Sequence, residues 1–134
     1  MKIFVLIAWG FLSGCGSVPM RTTICTLTTN VIQHEASRVV VSGEVHGGLD
    51  RLLLSDRSCP AEPVALSISN AIAEKPNVAP MWSAIYRQGD IGTYGKRIHA
   101  TVVGTFHYVA NDWPNGVLIV EDVSGLEVTL KKGN

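Results

Sequence analysis

The residues best suited to chemistry in this sequence are one carboxylate and four imidazoles: Glu44, His34, His46, His99 and His107. In a strand, Glu44 and His46 lie on one face about 6–7 Å apart, where a third ligand from elsewhere would complete a metal site. His99 and His107 are separated by roughly 26 Å if they share a strand. No histidine belongs to a His-x-x-x-His or Cys/His motif. We expect no metal and no other cofactor, with exposed polar strand residues as the simpler interpretation.

Other catalytic patterns are missing from the sequence. It contains no nucleophile elbow, no phosphate-binding Gly-rich loop and no Ser-His-Asp order. Glu121 and Asp122 point to opposite faces of a predicted strand, so they cannot act as one acid/base pair. Eleven Lys or Arg balance eleven Asp or Glu, so the formal net charge at pH 7 is zero. A chain with this charge balance lacks the broad basic surface that binds a nucleic-acid backbone. We expect a protein that is not an enzyme and has no nucleic-acid partner.

The N-terminal residues have the layout of a signal peptide over residues 1–14. Lys2 precedes an apolar run from Ile3 to Leu12, which at ten residues is too short for a bilayer core of about 30 Å. The run Leu12-Ser13-Gly14-Cys15 resembles the lipobox of bacterial lipoproteins. That resemblance implies cleavage before Cys15, a diacylglycerol on its thiol and an N-acyl chain such as palmitate, which together anchor the chain in a lipid bilayer. An ordinary signal peptide or an N-terminal core segment remains the alternative.

The residue after Cys15 bears on localisation. Gly16 rather than Asp follows the cysteine, and the resemblance to bacterial lipoproteins then implies the outer membrane, with the protein facing the periplasm. Residues 15–22 are predicted to be a short spacer between the lipid and a single domain over residues 23–134.

Two further cysteines, Cys25 and Cys59, lie in the predicted domain. In an oxidising compartment they most simply pair as a disulfide, and two buried free cysteines are the alternative. The closed loop would remove roughly 3–4 kcal/mol of unfolded-state freedom. Neither residue belongs to a Cys-x-x-Cys motif, so a redox role is not indicated.

Hydrophobic periodicity predicts the elements that position these residues. Thr23 to Glu35 combines a helical spacing of apolar residues with a Thr content that favours strand, and we interpret it as a short helix. A second helix is predicted over residues 81–88. Alternation predicts strands over residues 38–46, 51–55, 64–68 and 96–110, and over 117–123 and 126–130, which are two strands or one bent strand.

This order predicts a mainly β fold. Gly43 and Gly104 stand in the middle of their strands, where sheet curvature requires glycines or bulges. We predict a five-stranded OB-like Greek-key barrel with a short N-terminal helix and a helix between strands three and four.

Four short motifs follow one another along the chain: a cysteine-bearing helix, a V-x-V-x-G strand, an L-x-L-x-D hairpin followed by a cysteine, and a G-x-F strand. The residues that carry them are Cys25, Val39, Val41, Gly43, Leu52, Leu54, Asp56, Cys59, Thr101, Gly104 and Phe106. In these motifs the sequence resembles a loose group of small bacterial envelope proteins of unassigned function. The resemblance implies a fold and the Cys25–Cys59 disulfide, and it implies no activity.

An OB fold binds ligands on strands two and three and at two loops, which here map onto residues 46–51 and 108–116. The candidate ligand-binding residues are His46, Asp50, Arg51, Tyr108, Asn111, Asp112 and Trp113. An indole beside an amide and a carboxylate suits a sugar face or a protein hot spot. The alternative is a Trp113 ring folded back over the open end of the barrel.

The function expected from these observations is a membrane-anchored, non-catalytic binding or structural module of the bacterial cell envelope. Its partner would be an envelope protein or glycan. An immunity-type or inhibitor lipoprotein is one alternative, and a metal-assisted enzyme that uses Glu44 and His46 is another.

Overall fold

The fold was analysed in a computed structural model, which describes residues 18–47, 51–87, 90–91 and 95–130. The predicted signal peptide, the lipid-attachment residue Cys15 and the candidate site residue Asp50 lie outside the described residues. The elements within them are β1 (Met20–Arg21), α1 (Ile24–Thr29), β2 (Arg38–Gly47), β3 (Leu52–Asp56), β4 (Cys59–Ser67), α2 (Asn70–Ala73), α3 (Ala79–Ile85), β5 (Tyr86–Arg87), β6 (Asp90–Ile91), β7 (Lys96–Tyr108) and β8 (Gly116–Leu130).

Six of these strands form one mixed sheet, which confirms the prediction of a mainly β fold. Its order is β1-β2-β3-β4-β8-β7, and β2 pairs in addition with β7. The β1–β2 and β4–β8 pairings are parallel, and the other pairings in the sheet are antiparallel. Strands β5 and β6 form a separate antiparallel pair. Among the residues that the structure describes, no helix is both long and apolar enough to span a bilayer.

Alternation along the long strands places one set of side chains in a single core. In β2, Val39, Val41 and Val45 are buried, as the sequence predicts, while Ser42 is exposed between them. Strand β7 alternates in the same way over most of its length, with Phe106 fully buried near its end. Since successive side chains of a strand point to opposite faces, the apolar residues fix which face of the sheet is interior.

Helix α1 covers one side of this core and is shorter than predicted. The Thr23 hydroxyl caps its N-terminus by accepting a hydrogen bond from the Thr26 N–H at 3.1 Å. Near its other end, the Thr29 hydroxyl donates to the Cys25 carbonyl oxygen at 2.6 Å. Hydroxyls that bond to nearby backbone compete with helical structure, and the helix ends at Thr29, followed by turns instead of continuing to Glu35.

Strands β1 and β4 differ from the sequence prediction, and β8 decides between two alternatives that the sequence left open. Residues of the predicted spacer form β1, and the Thr22 N–H donates to the Val40 carbonyl at 3.1 Å beyond its end. The third predicted strand begins at Cys59, earlier than residue 64, because Cys59 pairs with Asp56 across a tight turn. The last two predicted strands form one strand, β8, with Gly125 at a positive φ of 57°, where glycine is favoured.

Gly43 is required where β2 and β3 approach each other closely. A Cβ at this position would lie 2.6 Å from the Ser55 carbonyl oxygen. The β3–β4 register shifts between Leu54 and Asp56 in the same region. This absence of a side chain, together with the irregularity in β3, lets the sheet bend here.

Leu27→Ala tests whether α1 belongs to the core. Leu27 is fully buried on α1, whereas Leu130, at the end of β8, is 81% exposed. We expect Leu27→Ala to lower the free energy of unfolding by about 2–5 kcal/mol through the cavity it leaves. The matched Leu130→Ala variant should change it by less than about 0.5 kcal/mol. Urea denaturation followed by circular dichroism measures both, and equal effects would contradict the docking of α1.

Candidate functional site

The loop between β7 and β8 contacts Arg51, the residue immediately before β3. The Arg51 guanidinium donates through Nη1 to the Trp113 carbonyl oxygen at 2.7 Å and through Nη2 to the Asp112 carboxylate at 3.1 Å. We call these three residues the loop junction. The sequence analysis assigned them to two separate loops of one binding surface, and the structure brings them together.

The Trp113 ring of the loop junction is exposed, while the loop beneath it is anchored. Trp113 is 57% exposed, so the alternative of a ring folded over the end of the sheet is not observed. Next to it, Pro114 is buried, and the Val109 N–H donates to the Asn115 carbonyl at 2.8 Å across the base of the loop. An aromatic side chain is thus presented to solvent from an ordered backbone.

The charge of Asp112 is stabilised by two donors of the loop junction. Its pKa is lowered from the usual 3.8, first by the Trp113 N–H, which donates to Oδ1 at 2.8 Å, and then by Arg51. The ionised carboxylate therefore stabilises the fold above pH 3.8, and this contribution is lost as the pH falls through the lowered pKa. The ion pair itself is exposed to solvent, so screening leaves it little contribution to stability.

Two other predicted residues flank the loop junction. Asn111 is exposed and has a φ of 60°, a left-handed conformation that Asn tolerates better than most residues. The Tyr108 N–H donates to the Glu35 carboxylate at 2.7 Å. That N–H, followed by His107, lowers the pKa of Glu35. The Tyr108 backbone is therefore tied to the segment after α1.

His46 lies on the outer face of β2. Its Nε2 is 2.8 Å from the Ser55 Oγ and 3.9 Å from the Glu44 carboxylate. In the described residues, no three His, Cys, Asp or Glu side chains are grouped so as to hold a metal ion. Two cationic side chains, Arg57 and Arg97, each have their Nε 3.9 Å from Glu44 instead. This environment is unfavourable for a metal cation beside the Glu44–His46 pair.

Cys25 and Cys59 differ from the disulfide prediction because both are free thiols in the structure. They are nevertheless neighbours, because their side chains are hydrogen-bonded to each other. This hydrogen bond is the largest cause that raises the pKa of Cys25, followed by desolvation of its thiol. Thr28 connects α1 to β4, since its hydroxyl oxygen lies 3.9 Å from the Cys59 sulfur. The predicted partners are therefore brought together without being joined.

The sequence analysis missed a second concave surface, on the outer face of β2, β3 and β7. Its cavity has a volume of about 410 Å³ and includes Ser42, Glu44 and His99 in its lining. Glu44 had been weighed only as a metal ligand with His46. Alternation did place Ser42, Glu44 and His46 on one face, but the register that adds β7 was not readable from the sequence.

Comparisons with protein-family models, with curated proteins and with solved structures find no match to this chain.

Arg51→Gln tests the loop junction. Removing the guanidinium should raise the pKa of Asp112 only part of the way to its usual value, because the Trp113 N–H remains the larger cause. A pH titration of the Asp112 carboxyl carbon by NMR measures this pKa. Arg21→Gln, an exposed change on β1, serves as the control that should leave it unaltered. An unchanged Asp112 pKa in Arg51→Gln would show that the two loops do not meet in solution.

Proposed function

We propose that this protein is a non-catalytic binding module of the bacterial cell envelope, anchored in the outer membrane through a lipid on Cys15 and facing the periplasm. It binds an envelope protein or glycan through the loop junction. The observation that carries this proposal is the exposed Trp113 ring on a loop that Arg51 braces from the neighbouring connection.

The finer fold proposed here is an OB-type barrel built from β2, β3, β4, β7 and β8. The pairings support it: each of these strands pairs with two others of the five. When the register is followed from Phe106 through β8, β4 and β3, it reaches Gly47 at the end of β2. The nearest β2 residue that pairs with β7 is Val45, opposite Ile98, eight residues before Phe106. Such a stagger is what tilted strands around a barrel require. Two short helices, α2 and α3, fall between the third and fourth of these strands, where one helix over residues 81–88 was predicted.

The loop junction fits this proposal because an OB fold uses the equivalent loops for binding. An indole half in solvent leaves apolar area that a partner would bury, and Trp and Arg are enriched among the residues that dominate binding energy. Arg51 and Asp112 beside the ring offer a donor and an acceptor at the rim. This combination suits the face of a sugar ring or an aromatic-lined protein surface.

The anchor is supported by the lipobox-like run Leu12 to Cys15 and by the position of β1. Met20, the first residue of β1, follows Cys15 by five residues, which reach at most about 18 Å when extended. A lipid on Cys15 would hold the sheet close to the bilayer surface. In that compartment, we propose that the neighbouring thiols of Cys25 and Cys59 form a disulfide by exchange with a disulfide-bearing periplasmic oxidant, which accepts their two electrons and two protons and is thereby reduced to a dithiol.

An intact-mass experiment tests the anchor and the disulfide together. The full chain is expressed in a bacterium, fractionated, and alkylated with and without prior reduction. We expect a membrane-bound chain that begins at Cys15 with three acyl chains, in which Cys25 and Cys59 react only after reduction. Cys15→Ser should abolish the lipid. A soluble, uncleaved chain would refute the anchor, and two thiols that react without reduction would refute the disulfide alone.

Trp113→Ala tests the binding proposal. The full chain in detergent is incubated in parallel with purified peptidoglycan sacculi and with solubilised envelope proteins. In the arm that retains the wild type, we expect Trp113→Ala to weaken retention about 30-fold or more, the effect of truncating an aromatic hot spot. Trp113→Phe should retain much of the binding.

A matched apolar truncation on another surface controls this experiment. Ile32→Ala removes a side chain that is 70% exposed and should leave retention unchanged. Retention that is equal for the wild type and Trp113→Ala, or absent from both arms, would contradict the proposed function.

A further inference from the structure

A polar pocket lies on the outer face of the sheet, where β2 pairs with β3 on one side and with β7 on the other. It is lined among others by Ser42, Glu44, Ser55, Arg57, Arg97 and His99, and encloses about 410 Å³. Its residues belong to a face that the loop junction does not use. The volume lies within the range of small-molecule sites, about 300–1,000 Å³.

Glu44 is the central group of this pocket. Its register partners are His99 on β7 and Ser55 on β3, so it stands between two lining residues. Its side chain is only 18% exposed, yet the His46 Nε2, the Arg57 Nε and the Arg97 Nε all lie 3.9 Å from its carboxylate. Hydrogen bonds of N–H donors to oxygen are shorter, about 2.7–3.2 Å. Within the described ranges, the Glu44 carboxylate therefore has neighbouring charge but no hydrogen-bond donor.

The second carboxylate in the lining, Asp56, differs from Glu44. It accepts hydrogen bonds from the Ser58 N–H at 2.9 Å and the Ser58 hydroxyl at 2.8 Å. Ser58 also lowers the pKa of Asp56, with the backbone N–H as the larger cause. Asp56 thus has its donors in the protein, whereas Glu44 has acceptor capacity left for a ligand.

Two guanidinium groups flank Glu44 from opposite sides. Arg57 approaches one carboxylate oxygen and Arg97 the other, and their side chains are 72% and 50% exposed. A guanidinium has five N–H donors in a planar fork that matches a carboxylate. Hydroxyls complete the lining: the Ser42 Oγ is 2.7 Å from Thr101 Oγ1, and the Ser55 Oγ is 2.8 Å from His46 Nε2.

These groups select a ligand that carries an anion and hydroxyl donors together. A metal cation is disfavoured by the two arginines, and an anion without hydroxyls, such as sulfate, would give Glu44 no donor. A neutral sugar would satisfy Glu44 but would leave the two guanidinium groups with only the Glu44 carboxylate, 3.9 Å away, as an anionic neighbour. A sugar carboxylate supplies both parts, and charge-assisted hydrogen bonds of this kind are the stronger ones.

We propose that this pocket binds an acidic sugar, a hexuronate or a related sugar carboxylate, whose hydroxyls donate to Glu44 and whose carboxylate accepts from Arg57 and Arg97. This site is separate from the loop junction and does not depend on the function proposed for it.

Titration of the full chain in detergent micelles with D-glucuronate, followed by NMR, tests this proposal. We expect saturable shifts of the amides of Ser42, Glu44 and His99. Glu44→Gln and Arg97→Gln should each weaken binding about tenfold or more, the loss of a charged hydrogen bond. These two variants alter opposite sides of the proposed contact, and a thermal melt of each checks that it folds.

The controls separate the proposed ligand from other chemistries. Glu74→Gln at the end of α2 and Arg21→Gln on β1 are changes of the same type outside the pocket lining and should leave binding unchanged. D-glucose and inorganic sulfate should produce no comparable saturation. The proposal is overturned if glucuronate causes no saturable shift, if glucose or sulfate binds equally well, or if binding survives both Glu44→Gln and Arg97→Gln.

Discussion

Strand β2 is paired along both of its edges, and the rest of the molecule is arranged around that pairing. From Arg38 to Val45 it pairs with β7, and from Glu44 to Gly47 it pairs with β3. Backbone N–H and C=O groups buried in a sheet must find partners, so a strand paired on both sides has little freedom to change register. A slip by one residue would turn the core valines outward and bring Glu44 into the core.

The same constraint builds the pocket on the outer face. Glu44 lies in the short overlap where β2 pairs with both neighbours, and this brings His99 and Ser55 to its two sides. Gly43 allows the close approach of β3 at that point. The register of β2 with its two neighbours therefore determines both the core on one face and the polar pocket on the other. A change of this register would alter both.

Sequence patterns predicted those features that depend on neighbours along the chain. Alternation located β2 and β7, and the order of elements assigned Arg51 and Trp113 to two loops of one predicted binding surface. Features that depend on partners far along the chain were missed or misplaced. Strand β1 has only two residues and is specified by its pairing with β2. The pocket combines Glu44 with Arg97, fifty-three residues away, and no local pattern encodes that distance.

The two surfaces of the molecule differ in how they are held, and this difference bears on what each can bind. The loop junction is fixed by a partly exposed ion pair, a buried Pro114 and one backbone hydrogen bond across the loop base. What it offers a partner is mainly the apolar area of the Trp113 ring. A contact with that ring tolerates small shifts in position because hydrophobic burial is not directional. Recognition of a sugar carboxylate needs donors and acceptors at fixed distances, and regular strands hold groups more accurately than loops do. Glu44 and Arg97 stand on such strands, so the directional chemistry is located on the sheet face and the adaptable contact on the loops.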